Sequence, residues 1–179
     1  MIFPAEKTPE LRLPTLSGET FDLSKDGGEK GTLLVFYRGL HCPICAKQLG
    51  EMESHAAKFA ERGVRLVAIS ADPEDKARQM AEKAGVSEVT IAHSLDLAAA
   101  RDDWGLFLSS AREGSEEPAL FNEPGLFYVS NDQKLQFGWV QTAPFARPSL
   151  DDVLSAIAFA QDKGYPPRGT YRGALDAAA

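Results

Sequence analysis

The strongest constraint on this chain is a pair of apolar runs separated by one amphipathic helical pattern. Thr32-Leu33-Leu34-Val35-Phe36-Tyr37 is almost continuously apolar, as expected of a strand buried on both faces. Cys45, Leu49, Met52, Ala56 and Phe59 then recur at helical spacing, and Gly63 offers a C-terminal stop. Val64 to Ile69 is a second buried-strand run. A buried strand that feeds a helix and then a second buried strand forms a βαβ unit. That unit demands parallel pairing and a right-handed crossover.

The remaining segments extend it. Short alternating runs, Leu11 to Leu16 and Glu19 to Leu23, flank Ser17-Gly18 and predict a small N-terminal hairpin. Lys25 to Gly31 reads as a loop. Asp72-Pro73-Glu74-Asp75 opens a helix that ends near Gly85. Val89 to Ala92 reads as a short strand, and Ser94 as the cap of a helix from about Leu95 to Asp103. From Trp104 to Glu123 the periodicity fades into a long polar segment, read as a loop that covers a site or forms a homodimer contact. Leu126 to Ser130 and Leu135 to Val140 form a second predicted hairpin. Ser149 and Asp152 make a capping pair for a last helix, with Leu150, Val153, Leu154, Ile157 and Phe159 as its apolar positions. The expected class is therefore α/β, a mixed central sheet flanked by helices, with an N-terminal β-hairpin. Residues 1–163 are read as one domain, and 164–179, rich in glycine, proline and alanine, as an extended or disordered tail.

Composition narrows the chemistry. The 179 residues carry a net charge of -7, which argues against nucleic acid as the main partner. No run approaches the roughly 18 apolar residues of a membrane span, and the first residues lack a signal-peptide core. The expected compartment is the cytoplasm, where thiols are kept reduced. Only two cysteines occur, in His41-Cys42-Pro43-Ile44-Cys45. A bridge between them would close a very short loop and add little stability, so reactivity explains the pair better than stapling does.

Cys42 falls where the first buried strand ends and a helix begins, at the carboxyl edge of a parallel sheet. Unpaired N–H groups and the helix dipole meet there and stabilise the reactive thiolate. A shift of a thiol from about 8.5 to about 7 would raise its thiolate fraction at neutral pH from a few per cent to about half. Pro43 suits the first helical position because it has no N–H to lose. His41 either adds positive charge nearby or is a polar residue at the strand end. A structural zinc would need two more ligands, and His55 lies too far along the helix to join the pair easily. Ala46 after Cys45 excludes a haem attachment site, which requires histidine there. Two idle cysteines packed as small hydrophobes are the remaining alternative. No cofactor or metal is expected.

The element order resembles the thioredoxin superfamily. The segment Val35-Phe36-Tyr37-Arg38-Gly39-Leu40-His41-Cys42-Pro43-Ile44-Cys45 is similar to the active-site segment of peroxiredoxins. Leu13 to Glu19, Val67 to Asp72 and Ser94 to Ala98 are similar to the same family, the alkyl hydroperoxide reductase and thiol-specific antioxidant group. The resemblance spans about Leu11 to Phe159 and implies a thioredoxin-like fold. It places the peroxidatic cysteine at Cys45. It puts Cys42 where the family has threonine or serine, and Arg38 where it has proline. The distant arginine of peroxiredoxins maps to about Pro124, where thioredoxins carry a cis-proline against the redox pair. Pro124 is therefore expected to be cis, and Arg38 to be a displaced arginine that favours thiolate and binds peroxide. Trp104 and Trp139 read as packing residues.

The implied activity is a thiol-dependent antioxidant oxidoreductase that reduces peroxides through a Cys42/Cys45 dithiol–disulfide cycle. Its reductant would be a thioredoxin-like protein or a small thiol. A thiol–disulfide reductase with little peroxidase activity is the alternative on the same residues. A redox-inactive binding or metal-binding module is the alternative of another class. Which sulfur attacks stays open at this point, since the helix cap favours Cys42 and the family register favours Cys45.

Overall fold

In the computed structural model, which describes residues 2–175, the two apolar runs lie side by side at the centre of a five-stranded sheet. The elements in order are β1 (Arg12–Pro14), β2 (Thr20–Asp22), α1 (Leu23–Asp26), β3 (Gly31–Phe36), α2 (Pro43–Glu61) and β4 (Val64–Ile69). Then follow α3 (Glu74–Ala84), β5 (Thr90–Ala92), α4 (Leu97–Asp102), β6 (Leu108–Ser110) and β7 (Leu120–Asn122). The last are β8 (Gly125–Ser130), β9 (Leu135–Val140) and α5 (Leu150–Lys163). The strand order is β5-β4-β3-β8-β9. β3 pairs with β4 in parallel, Gly31 opposite Val64 through Phe36 opposite Ile69, and with β8 antiparallel. The sheet is mixed, as expected of a βαβ unit extended by a hairpin.

Strand parity sorts the core. Leu33, Val35 and Tyr37 point to one face and pack with Leu49, Met52 and Phe59 of α2 and with Val153 and Ile157 of α5. Leu34 and Phe36 point to the other face and pack with the β1–β2 hairpin, Phe127 and Trp104. Trp104, Phe36 and Phe127 form a buried aromatic triad with centroids 5.2 to 5.7 Å apart, which makes Trp104 a packing residue.

Gly63, at φ +69, stops α2 in the left-handed region, where a side chain would be strained. Three local readings differ from the structure. Lys25 belongs to α1, a single turn capped by Asp22. The cap of α4 is Asp96, whose carboxylate accepts from the N–H groups of Ala98 and Ala99; Ser94 is a turn residue at φ +59. The 104–123 segment is a hairpin rather than a loop, with Leu108 opposite Asn122 and Ser110 opposite Leu120. The expected tail leaves α5 at Gly164 and passes beside β9, where Gln136 donates to the Tyr165 carbonyl at 2.8 Å. Residues 176–179 of that tail lie outside the described residues.

Glu53 ties α2 to the turn before β5. Its Oε1 accepts from Ser87 N, Ser87 Oγ and Glu88 N at 3.0, 2.7 and 2.9 Å, and its Oε2 from Val89 N at 3.1 Å. Burial alone would raise the carboxyl pKa, but these donors outweigh it and hold the group below its ordinary value. Glu53→Gln should cost about 1–2 kcal/mol at pH 7 by urea unfolding, because the amide offers one acceptor where the carboxylate offers two. A depressed carboxyl stabilises above its unfolded pKa of about 4.3 and loses that contribution as pH falls through the folded value. The gap between wild type and variant should therefore narrow in acid. Equal stability at pH 7 would remove this contact from the account.

Candidate active site

The turn that carries the cysteines is built before α2 begins. β3 ends at Phe36, and Tyr37 N still donates to the Ile69 carbonyl at 2.9 Å. The chain then turns through Arg38, Gly39 and Leu40. Gly39 has φ +124, and a Cβ there would stand 2.8 Å from both carboxylate oxygens of Asp72. The same carboxylate accepts from Leu40 N at 2.8 Å. The Asp72 carboxyl is buried and burial lifts its pKa above the ordinary range, with the Leu40 N–H opposing. Asp72 thus buttresses the turn, and the helix cap itself is Pro73.

Cys42 is the N-cap of α2, and its Sγ accepts from Cys45 N at 3.2 Å. Pro43 occupies the first helical turn, the place where its missing N–H costs nothing. The two cysteines form a disulfide with their Cα atoms 5.2 Å apart. Both cysteines are buried, with Cys42 1% and Cys45 0% exposed. Among the described residues, no group of three or more histidine, cysteine, aspartate or glutamate side chains is placed to hold a metal.

A residue that the sequence reading did not single out completes the site. Arg147 Nη2 lies 3.1 Å from Cys45 Sγ and 3.8 Å from Cys42 Sγ. Its Nε donates to the Pro144 carbonyl at 2.9 Å, and its Nη1 donates to Gln48 Oε1. Burial, then the nearby Arg38 charge, pushes its pKa down to about 10, so the guanidinium keeps its charge at neutral pH. The residue sits 102 positions from Cys45 in Ala143-Pro144-Phe145-Ala146-Arg147-Pro148. The available signal was local: an arginine between prolines, just ahead of a capped helix.

The other expected residues fall on a neighbouring shelf. Arg38 reaches Glu117 and Glu123, each at 3.2 Å, and lies 4.7 Å from the centre of the Phe121 ring. No polar contact joins it to either sulfur among the described residues. Arg147, not Arg38, is the cation at the sulfurs. His41 packs against Phe121 with ring centres 4.7 Å apart and planes tilted by 60°, and burial followed by the Arg38 charge holds its pKa below the ordinary value. That shift disfavours the charged imidazole, which makes His41 a poor source of positive charge for the cysteines. The β6–β7 hairpin supplies Phe121 and Glu117, so this segment packs against the turn that precedes the cysteines. Its tip is pinned where Arg112 N–H and guanidinium hold the Glu117 carboxyl down to about 2.

The expectation of a cis bond at Pro124 is not met: the described residues contain no cis peptide. Glu123 N donates to the Phe107 carbonyl, and Gln141 N donates to the Pro124 carbonyl. The chain therefore continues extended from β7 into β8, the form that an X–Pro bond prefers without a tight turn to oppose it.

Comparison with known proteins bears on the family and the fold. The chain is 31% identical over 83 residues to the thiol-disulfide oxidoreductase ResA of Halalkalibacterium halodurans, covering 46% of each protein. It thus spans less than half of that relative's length. It is 24% identical over 160 residues to alkyl hydroperoxide reductase C of Helicobacter pylori, covering 83% of this chain and 75% of that protein. The fold superimposes on a C45S mutant of peroxiredoxin 6 from Arenicola marina with a TM-score of 0.76 at 18% identity, over 92% of this chain and 76% of that one. Peroxidoxin BcpB from Mycobacterium tuberculosis superimposes with a TM-score of 0.70 at 20% identity, over 88% and 97%. The AhpC/TSA family model matches residues 4–137, three quarters of a chain whose cysteine-bearing helix and four of five central strands lie within that match, and the chain belongs to the AhpC/TSA family.

Proposed function

We propose that this chain is a thiol peroxidase that reduces peroxides through a Cys42–Cys45 dithiol–disulfide cycle. The observation that carries the reading is the Arg147 guanidinium held over the two sulfurs, closer to Cys45. A fixed cation there stabilises a thiolate and offers N–H donors to a peroxide oxygen. Cys45 attacks one peroxide oxygen, the O–O bond breaks, and the leaving oxygen takes a proton to depart as water or an alcohol. Cys45 is left as sulfenic acid. The Cys42 thiol then displaces the hydroxyl as water and forms the disulfide. Two electrons from a thioredoxin-like protein or a small thiol return both cysteines to the thiol state. Pro43 fixes the helix start, while Arg38, His41 and Pro124 support the shelf beside it. The cytoplasm is the compartment that suits a cycle ending in reduced thiols.

A second reading, a thiol–disulfide reductase with little peroxidase activity, is favoured by the C-x-x-C disulfide at a helix N-cap and by the likeness to ResA. One measurement separates the two. The reduced protein is mixed with stoichiometric hydrogen peroxide, and free thiols are followed in time. Loss of both thiols within seconds supports the peroxidase. Oxidation over hours, with rapid reduction of a disulfide substrate, would move the assignment to the reductase.

A further inference from the structure

α5 carries two apolar stripes, and the core uses one of them. Leu150, Val153 and Ile157 recur at helical spacing and are buried in the core. Ala156, Phe159 and Ala160 follow an i, i+3, i+4 spacing on an adjacent face. Phe159 is left 54% exposed there, so core packing does not account for it.

The chain beyond α5 turns this second face into a groove. Gly164, at φ +58, reverses the chain, and Tyr165 N donates to the Ala160 carbonyl at 3.0 Å. Gln136 of β9 donates to the Tyr165 carbonyl at 2.8 Å and fixes the returning segment beside the sheet. The Tyr165 ring stands 5.5 Å from the Phe159 ring. Phe137, itself packed against Tyr128 and Trp139, completes the lining together with Pro166. The groove has a volume of about 290 Å³, roughly twice that of a cavity that admits benzene. Its walls are held by backbone contacts, so it is formed before anything enters it.

Arg168 is the one charged residue in the lining. Its Nη1 donates to the Tyr165 hydroxyl at 3.3 Å, and its guanidinium lies 5.9 Å from the centre of that ring. The carboxylates flanking the tail are taken elsewhere: Asp162 pairs with Arg62 at 2.8 Å and Glu6 with Arg172 at 3.0 Å. Among the described residues, no carboxylate pairs with Arg168. An apolar slot with one unneutralised cation complements a molecule that has an aliphatic chain and one negative end. Eight residues line the groove, far fewer than the roughly 20–30 a side of a stable protein interface.

We propose that this groove is a binding site for a free medium-chain carboxylate. The aliphatic chain lies between Phe159, Tyr165 and Phe137, and the carboxylate meets Arg168. The site is independent of the cysteine chemistry and of the peroxidase reading.

The test is calorimetric titration of the full chain with hexanoate, octanoate and decanoate, and with octanol, each below its micelle-forming concentration. One saturable site is expected, with affinity rising about two- to fourfold per methylene until the chain fills the groove. Arg168→Gln should weaken octanoate about three- to fivefold and leave octanol unchanged. Ala156→Leu fills the slot from an exposed helical position and should weaken both at least about tenfold. Should that variant fail to fold, Phe159→Ser, which removes one wall, serves in its place. Absence of saturable binding, equal affinity of the parent for octanoate and octanol, or parental affinity in Ala156→Leu each overturns the proposal. So does a groove that belongs to an interface between copies: Phe159→Ser would then lower the sedimenting mass, and octanoate would give no heat.

Discussion

Cys45→Ser is expected to lose peroxide-dependent oxidation by on the order of 10³-fold or more, since no second sulfur sits as close to the guanidinium. Cys42→Ser should keep the first step and stop at the second. Treated with one equivalent of peroxide, it should accumulate sulfenic acid on Cys45, detectable by a dimedone-type trap and mass spectrometry. The asymmetry follows from the two environments. Cys42 Sγ is engaged as the cap acceptor for Cys45 N–H, whereas Cys45 Sγ faces the cation. The opposite pattern, sulfenic acid forming on Cys42 at the parental rate in Cys45→Ser, would reverse the roles. Equal rates in both variants and in the parent would end the redox assignment.

Arg147→Leu should lower the rate of reaction with peroxide about 10²–10³-fold at pH 7, the usual cost of deleting one preorganised charge or donor at a reacting atom. The sign of its pH dependence distinguishes charge from packing. With the cation gone, the Cys45 thiol moves back toward or above about 8.5, so part of the lost rate should return as pH rises past that value. Arg147→Lys should recover only part of the loss, because a point charge cannot bond Gln48, the Pro144 carbonyl and the sulfur at once. Stopped-flow oxidation from pH 6 to 9 checks both variants. A flat, uniformly reduced profile for Arg147→Leu would indicate distortion of the site rather than loss of charge.

The parts of this molecule that were legible in its sequence are those held by local physics. The runs 32–37 and 64–69 read as buried strands because almost every residue in them is apolar, and the strand-to-helix junction then located Cys42 at the sheet edge. Gly63 and the Ser149–Asp152 cap marked helix ends through short-range rules, and the structure has Asp152 N donating to Ser149 Oγ at 3.1 Å. Arg147 was not legible in the same way. Its role comes from a loop that folds back over 102 positions, and no spacing rule reaches that far. The β6–β7 hairpin escaped for a related reason. Its strands are three residues long, and its tip is held by Arg38 from outside the segment. The reading of Arg38 as the site cation reflects the same limit. The family register offered it as a displaced arginine, but the hairpin carboxylates claim that side chain.

The coverage of the disulfide has a consequence for how fast the cycle can run. With both cysteines 1% exposed or less, a macromolecular reductant cannot meet them in the conformation described. The first turn of α2 or the proline-bracketed loop that carries Arg147 must open first, and the observed rate of reduction is then the intrinsic exchange rate multiplied by the open fraction. The same cation that sharpens attack on peroxide also helps keep the oxidised site shut, so the two halves of the cycle respond to it in opposite directions.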